Sequence, residues 1–325
     1  MDPQHLPALF PPRLMNRLHE LLDISELQAF ARFDDAASKA ALARAEVLIT
    51  GWGCPPLDEA LLEAAPRLRT VLHAAGSVRH LVSEAGWRRG IAVSSAVQAN
   101  AGPVAEYTLA AILLAGKNAF ALSRWYARSD AYPPAQLLSG IGNFRRRVGI
   151  IGASRVGRRL LELLRPFDFA ISLSDPYVDE AEAARLGVTL LPLDDLLRTS
   201  DIVSVHAPSL PQTRHLLDGP RLALIPDGAV VINTARGALI DHDALTVELE
   251  SGRLGAVLDV TDPEPLPASS LLHQLPNVFL TPHIAGSLGN ELERLGRTVV
   301  DEAERLVDGL PLLHRVHQED LTHVA

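Results

Sequence analysis

The stretch Val148-Gly149-Ile150-Ile151-Gly152-Ala153-Ser154-Arg155-Val156-Gly157 decides the fold. A short apolar run ends at one glycine, and a second glycine precedes the leucine-rich segment Leu160–Leu164. This order predicts a buried strand, a tight turn and a helix, which is the first unit of a doubly wound α/β sheet. Gly152 permits the sharp bend, Gly157 permits close packing of helix on strand, and the amides at the helix start suit a pyrophosphate.

The turn departs from the usual G-x-G-x-x-G pattern because Ser154 stands where the middle glycine is expected. Its side chain crowds the approach of a phosphate, although its hydroxyl can donate a hydrogen bond to the same group. Asp175 ends the next predicted strand, where a carboxylate accepts both ribose hydroxyls of NAD and repels the 2′-phosphate of NADP. The alternative for Asp175 is a turn residue before Pro176. We predict NAD as the cofactor.

Apolar runs rich in Val, Ile and Leu alternate with helical patterns after residue 146, as in a parallel sheet that is covered on both faces. The predicted strands are Val148–Ile151, Ala170–Leu173, Val188–Leu191, Ile202–Val205, Ala229–Asn233, Ala256–Val260 and Val278–Leu280. A smaller set comes first, consisting of Val47–Thr50, Thr70–Ala74 and Ile91–Ser94. The predicted fold class is α/β, with a Rossmann-type doubly wound parallel sheet plus a second, smaller flavodoxin-like α/β domain.

At 325 residues the chain is long for one hydrophobic core, so we expect two domains. The amphipathic segments Val104–Trp125 and Leu288–Asp308 flank the main block and are candidate interdomain helices. We therefore predict one discontinuous domain of residues 1–101 and 288–325, and a dinucleotide-binding domain of residues 102–287. Adjacent prolines at Tyr132-Pro133-Pro134 open a segment that ends near Gly142, and they predict a loop or arm there.

Composition excludes several classes of partner. A net charge of -9 opposes general binding to nucleic acid or to an anionic membrane surface, so we expect neither partner. The single Cys54 cannot form an intramolecular disulfide, and the first residues lack a basic segment followed by an apolar run, so a cytoplasmic location is expected. The most apolar long stretch, Val104–Ala115, is too short to span a bilayer.

Three further motifs follow successive predicted strands. They are Asn233-Thr234-Ala235-Arg236-Gly237, Asp259-Val260-Thr261-Asp262-Pro263-Glu264-Pro265, and Thr281-Pro282-His283-Ile284-Ala285-Gly286. Parallel strands end at one sheet edge, so a guanidinium, a carboxylate and an imidazole are expected to meet there. Taken singly, each residue has an alternative interpretation: Arg236 as the partner in a helix-terminal salt bridge, Glu264 as a solvated loop carboxylate and His283 as a surface residue. Their joint occurrence behind a nucleotide turn favours a catalytic site.

With these motifs the chain resembles the D-isomer-specific 2-hydroxyacid dehydrogenases, in particular the NAD-dependent glyoxylate and hydroxypyruvate reductases, from about residue 45 to about residue 308. The motif Val205-His206-Ala207-Pro208, Thr213, and Asn100 before Val104-Ala105-Glu106 add to the resemblance. It implies an enzyme that interconverts a small 2-oxo acid and its D-2-hydroxy acid by hydride transfer. His283 would donate the proton in reduction, Glu264 would hold the imidazole and favour its protonated form, and Arg236 would orient the substrate.

The resemblance also implies cofactor and substrate contacts. Those to NAD fall on Gly152, Ser154, Arg155, Val156, Asp175, His206, Pro208, Thr213, Thr234, Ala235, Asp259 and Gly286. Those to the substrate fall on Arg236 and, in the first domain, on the backbone amides of Gly76, Ser77 and Val78, with Trp52 as a wall of a compact pocket. A plain turn is the alternative for the loop, because Arg79 stands where the family usually has an acidic residue. For Trp52 the alternative is simple packing.

A phosphorylated substrate is disfavoured. The segment Gly51-Trp52-Gly53-Cys54-Pro55 lacks the arginine that phosphoglycerate-using relatives place there, and no regulatory domain is expected after His283. Phosphoglycerate dehydrogenase and an NAD(H)-sensing, corepressor-like interaction protein are the alternatives, whereas formate dehydrogenases fit poorly.

We expect a homodimer formed through Val104–Trp125 and the Tyr132–Gly142 arm. No metal is expected, although His314, His317 and His323 lie near one another, and the usual first strand is expected to be absent from the proline-rich Met1–Leu14.

Overall fold

The structure is a computed structural model, and it describes residues 1–24 and 29–322. The chain divides into two compact units, Met1–Ala101 with Ser287–Ala325, and Gly102–Gly286. None of the helices in the described part of the chain combines the length and the apolar character that a membrane span requires.

The first unit contains α1 (Leu6–Leu9), α2 (Pro12–Leu21), α3 (Ala36–Arg44), β1 (Val47–Thr50), α4 (Glu59–Ala64), β2 (Thr70–His73), α5 (Glu84–Arg88) and β3 (Ala92–Ser95). The boundary with the second unit falls within α6 (Val97–Gly116). The second unit continues with α7 (Ala119–Tyr126), α8 (Ala135–Leu138), β4 (Arg147–Ile151), α9 (Arg155–Leu164), β5 (Ala170–Ser174), α10 (Glu180–Leu186), β6 (Thr189–Leu190), α11 (Leu193–Thr199), β7 (Ile202–Val205), α12 (Gly219–Leu222), β8 (Val230–Asn233), α13 (His242–Glu250), β9 (Gly255–Leu258) and β10 (Val278–Leu280). The chain then adds α14 (Leu292–Val307) and β11 (Arg315–Val316) to the first unit.

The second unit is a seven-stranded parallel sheet in the order β10-β9-β8-β7-β4-β5-β6. All seven predicted strands are present, although β6 is reduced to Thr189–Leu190. The order reverses between β4 and β7, which is the switch point where ligands bind in doubly wound sheets. Two clusters of buried apolar side chains pack against the sheet. The predicted α/β fold with a Rossmann-type sheet is therefore confirmed.

The first unit contains a smaller sheet in the order β1-β2-β3-β11. Strands β1 to β3 are parallel, and β11 pairs antiparallel with β3. The three predicted strands are confirmed, and no strand precedes Val47 within residues 1–24 and 29–46. A flavodoxin-like sheet has the order 2-1-3-4-5, so the sequential β1-β2-β3 set corresponds to its 3-4-5 half. The prolines of Met1–Leu14 start helices instead, since proline is well tolerated in a first helical turn.

Helix boundaries differ from the sequence prediction in two places. The predicted segment Val104–Trp125 is not one helix, because α6 ends at Gly116 and α7 begins after Asn118, which has a left-handed φ of 49°. Glycine and asparagine are the residues that end helices in this way. The Tyr132–Gly142 arm contains the short helix α8, which starts directly after Pro134. The two prolines are compatible with a helix that starts here, because the backbone N–H that proline lacks would have no partner at the start of a helix.

Candidate active site

The glycine turn after β4 is too crowded for a side chain at either glycine. Gly152 has a left-handed φ of 97°, and a Cβ there would lie 2.6 Å from the backbone nitrogen of Ala207. A Cβ on Gly157 would lie 2.2 Å from the carbonyl oxygen of Gly152. The sharp bend and the close approach of α9 therefore require glycine at both positions.

Ser154 is the N-cap of α9, and its Oγ accepts the backbone N–H of Gly157 at 3.3 Å. The hydroxyl thus satisfies one of the amides that a helix leaves unpaired at its start. Within the described residues, the amides of Arg155 and Val156 have no protein acceptor. Their position at the positive end of the helix dipole suits a phosphate group.

Asp175 follows β5, and both of its carboxylate oxygens accept backbone hydrogen bonds. Oδ2 accepts the N–H of Ala153 at 2.7 Å, and Oδ1 accepts the N–H of Tyr177 at 2.8 Å. The turn interpretation is therefore correct as a description of its local contacts. Because a carboxylate offers about four lone-pair positions, two acceptor positions are left for ribose hydroxyls. The contact with Ala153 also fixes the carboxylate beside the glycine turn.

The segment after β7 packs directly against the glycine turn, at the backbone of His206 and Ala207. His206 is buried, its Nε2 lies 2.8 Å from Ser204 Oγ, and burial lowers its pKa to about 3. The imidazole is therefore neutral at physiological pH. Thr213 Oγ1 donates to the carbonyl of Pro208 at 2.6 Å and accepts the N–H of Leu210 at 2.8 Å. The hydroxyl of Thr213 thus shapes the loop that the resemblance assigns to the adenosine half of the cofactor.

The loop after β8 is held by Asn233, a buried residue that the sequence prediction included only as part of a motif. Its Oδ1 accepts the N–H of Ala235 at 3.0 Å, and its Nδ2 donates to the carbonyl of Arg236 at 2.9 Å. A Cβ on Gly237 would lie 2.0 Å from the carbonyl atoms of Thr261. The loops after β8 and β9 are therefore in direct backbone contact, which explains why glycine follows the arginine.

The imidazole and the carboxylate predicted from the sequence lie together, and the guanidinium of Arg236 is near enough to interact electrostatically with Glu264. His283 Nδ1 is 2.5 Å from Glu264 Oε1, and the two side chains are 48% and 42% exposed. Arg236 is exposed over part of its surface, yet burial by neighbouring atoms lowers the pKa of its guanidinium and Glu264 opposes that shift. The guanidinium stays protonated at neutral pH, because the ordinary pKa of arginine lies far above neutrality. With Nδ1 engaged by Glu264, the Nε2 of His283 is the nitrogen left to exchange a proton with a substrate.

Asp259 organises the loop that carries His283. Its side chain is 2% exposed and accepts hydrogen bonds from Thr281 Oγ1 at 2.6 Å, Ile284 N at 2.8 Å and Ala285 N at 2.9 Å. Its backbone oxygen accepts the N–H of His283 at 2.9 Å. The resemblance gives Asp259 a contact with the cofactor, whereas the contacts within the protein serve to position the loop. That second role had no signal in the sequence, because it depends on distances across two strand ends.

The predicted substrate loop belongs to the first unit. Ser95 Oγ donates to the carbonyls of Ala75 and Gly76 and so fixes the loop. Within the described residues, the amides of Gly76, Ser77 and Val78 donate to no protein acceptor. Three successive amides without acceptors can receive an anion.

The predicted pocket wall Trp52 packs against a protein side chain in the first unit. Its ring makes an edge contact with His5, with ring centroids 5.6 Å apart. This contact agrees with the packing alternative for Trp52 and leaves its substrate role a prediction. Among the described residues, no group of three His, Cys, Asp or Glu side chains could hold a metal ion, and His323 lies outside those residues.

Residues 109–285 match the model of the D-isomer specific 2-hydroxyacid dehydrogenase, NAD binding domain. The chain belongs to this family of dehydrogenases, and its second unit is the NAD-binding domain. NAD is accordingly its cofactor, as the acidic end of β5 predicts.

Relatives in the family differ in the substrates for which they are named. The chain is 34% identical over 272 residues to an (S)-sulfolactate dehydrogenase of Chromohalobacter salexigens, covering 81% of this chain and 87% of the relative. It is also 34% identical over 259 residues to a D-3-phosphoglycerate dehydrogenase of Mycobacterium leprae, covering 78% of this chain but only 48% of that protein. The chain thus spans about half the length of several curated relatives that it matches. A solved 2-hydroxyacid dehydrogenase of Ketogulonicigenium vulgare superposes with a TM-score of 0.77 at 28% identity, covering 94% and 95% of the two chains.

Proposed function

We propose that the protein is an NAD-dependent D-2-hydroxyacid dehydrogenase that works mainly as a reductase of small 2-oxo acids. The observation that carries the proposal is the pairing of His283 with Glu264 at 2.5 Å in the NAD-binding unit of a chain from this family. The guanidinium of Arg236 interacts electrostatically with the same Glu264. A carboxylate that holds one imidazole nitrogen leaves the other nitrogen oriented for proton transfer.

The cofactor site fits NAD by its donors and its charge. The amides of Arg155 and Val156 at the start of α9 suit the pyrophosphate, and Asp175 retains acceptor capacity for ribose hydroxyls. Its negative charge disfavours the 2′-phosphate of NADP. The chemistry that bound NADH supplies is hydride transfer to the carbonyl carbon of the 2-oxo acid.

The side chains of the second unit would complete the reduction. His283 Nε2 donates a proton to the substrate oxygen as negative charge develops on it, and Glu264 stabilises the charged imidazole that makes the donation possible. Arg236 binds the substrate carboxylate and polarises the adjacent carbonyl. In the oxidative direction, the neutral imidazole takes the hydroxyl proton. Within the first unit, the amides of Gly76, Ser77 and Val78 form a proposed carboxylate-binding loop.

A small, unphosphorylated acid such as glyoxylate or hydroxypyruvate is our preferred substrate. The segment Gly51–Pro55 contains no cation for a phosphate group, and loops that bind phosphate normally supply one. D-3-phosphoglycerate dehydrogenase is the second candidate, because several curated relatives at 34% identity carry that name. A homodimer and a cytoplasmic location stay predictions from the sequence.

A substrate panel tests the proposal. Purified protein is assayed for NADH oxidation with glyoxylate, hydroxypyruvate, pyruvate, phenylpyruvate, branched 2-oxo acids and 3-phosphohydroxypyruvate. Turnover of the small acids at a kcat/KM at least ~10-fold above that of the phosphorylated acid is the expected result. A preference for 3-phosphohydroxypyruvate would move the second candidate to first place. Tight NADH binding without turnover of any acid would instead favour a corepressor-like interaction protein.

A further inference from the structure

Helix α6 places two adjacent hydroxyl groups against two strand-end loops of the second unit. Tyr107 Oη lies 2.7 Å from Thr281 Oγ1, in the loop after β10 that carries His283. Thr108 Oγ1 lies 2.9 Å from Thr234 Oγ1, in the loop after β8. Neither hydroxyl was assigned a role from the sequence, because an isolated Tyr-Thr pair on an apolar helix predicts only packing.

The direction of the Tyr107 hydrogen bond follows from the number of protons present. Thr281 has one hydroxyl proton, and it donates that proton to the Asp259 carboxylate at 2.6 Å. Thr281 Oγ1 therefore accepts from Tyr107, so the phenol is the first donor in a chain that ends on a buried carboxylate. Burial raises the pKa of Tyr107, which keeps the phenol protonated and able to donate at neutral pH.

The same carboxylate fixes the backbone that follows the imidazole. Asp259 accepts the N–H of Ile284 at 2.8 Å and that of Ala285 at 2.9 Å. His283 itself has a left-handed φ of 55°, a conformation that non-glycine residues adopt at a cost and that surrounding contacts must impose. A change in the orientation of the Asp259 carboxylate would therefore displace the backbone at His283 and with it the imidazole.

We propose that Tyr107 is a positioning residue for His283 and acts through Thr281 and the carboxylate of Asp259. The proposal rests on the proposed function, since it assigns the imidazole its role in proton transfer. Tyr107 does not touch the reacting atoms in this scheme. Its hydroxyl polarises Thr281, holds the threonine rotamer and so keeps the carboxylate aligned with the two amides that follow His283.

The neighbouring hydroxyl supplies an internal comparison. Thr108 Oγ1 donates to the carbonyl of Val104 at 2.7 Å, so it accepts the proton of Thr234. Thr234 lies in the loop that the resemblance assigns to the cofactor. We therefore expect Thr108→Val to weaken NADH binding, whereas Tyr107→Phe changes the proton-transfer step with little effect on NADH binding.

Steady-state kinetics of the full-length protein test this separation. Tyr107→Phe is expected to lower kcat about 10-fold with the KM for NADH within about twofold, because misplacement of a proton donor lowers the rate rather than ground-state binding. Thr281→Val should lower kcat by about 10-fold to 100-fold, and Thr281→Ser, which keeps the hydroxyl, should stay within about threefold of wild type. Tyr126→Phe, at a tyrosine that is 67% exposed, is the matched control and should leave kcat unchanged.

Amide hydrogen exchange supplies a readout that does not need turnover. The amides of residues 284 and 285 are bonded to Asp259, so their exchange should become about 10-fold faster in Tyr107→Phe and stay unchanged in Tyr126→Phe. Wild-type kcat and wild-type exchange in Tyr107→Phe would overturn the proposal while the enzyme assignment stands. A wild-type protein that reduces no acid would instead refute the proposed function, and exchange would still decide whether Tyr107 holds the loop.

Discussion

Replacing Asp175 by asparagine should change the cofactor preference of the protein by roughly 100-fold. The carboxylate is fixed by the N–H groups of Ala153 and Tyr177 at 2.7 and 2.8 Å. At about 5 Å and an effective dielectric constant of about 20 to 80, one unit charge repels another by roughly 1 to 3 kcal/mol. Loss of a charge-assisted hydrogen bond to the ribose costs NADH roughly 1.5 kcal/mol more. Together these effects amount to about 3 kcal/mol, or about two powers of ten in the ratio of affinities.

The assay compares kcat/KM for NADH and NADPH in wild type and Asp175→Asn with one 2-oxo acid. The ratio is the useful quantity, because any distortion of the glycine turn affects both cofactors and cancels. Asp168→Asn is the matched control, since it removes the same charge from an exposed position in the same unit. A ratio in Asp175→Asn within about threefold of wild type would refute the charge argument, because a charge at this distance from the ribose contributes more than that.

Three further predictions concern catalysis and stability. Glu264→Gln should lower kcat at least about 10-fold, as measured by NADH oxidation. It should change the free energy of unfolding by no more than ~1 kcal/mol in chemical denaturation, because the ion pair with His283 is half exposed. Gly237→Ala should lower the free energy of unfolding by about 2 kcal/mol in denaturation experiments, because the added Cβ would lie 2.0 Å from backbone atoms. Gly219→Ala is the control, since the nearest atom to its Cβ lies at 3.7 Å, and the free energy of unfolding should change by no more than ~0.5 kcal/mol. Burial lowers the pKa of His73 to about 4 and of His206 to about 3, from 6.5, so the unfolded chain binds protons that the folded chain excludes. The two neutral histidines contribute fully to the free energy of unfolding above pH 6.5. As the pH falls toward the two lowered pKa values, the free energy of unfolding decreases by up to ~1.4 kcal/mol per pH unit for each histidine. A free energy of unfolding that does not change between pH 6.5 and pH 4 would contradict this prediction.

The strands and the switch point were predictable because buried parallel strands are short apolar runs between turn residues. Each predicted strand from Val148–Ile151 to Val278–Leu280 is present, and the glycine turn lies at the C-terminal end of the first of them. The approach of Glu264 to His283 was also predictable, since successive parallel strands end at one edge. These features depend on local sequence and on the topology that it implies.

The break between α6 and α7 and the supporting hydroxyl groups were not predictable in the same way. A lone Asn118 in an apolar stretch does not indicate a helix end without knowledge of its φ of 49°. Tyr107 and Thr281 are 174 residues apart in sequence, and only the packed structure places their oxygens at 2.7 Å. Hydrogen bonds that support site residues from distant parts of the chain depend on tertiary distances, and the hydrophobic periodicity of a sequence does not encode those distances.

In the proposed mechanism His283 transfers the proton during NADH-dependent reduction of a 2-oxo acid. The most direct test is kcat/KM of wild type and His283→Ala with the best acid of the panel, together with the NADH dissociation constant of both proteins. We predict that the substitution lowers kcat/KM by about 100-fold to 10,000-fold, which is the usual contribution of a general acid, while NADH binding stays within about threefold. Wild-type turnover in His283→Ala would show that another group donates the proton.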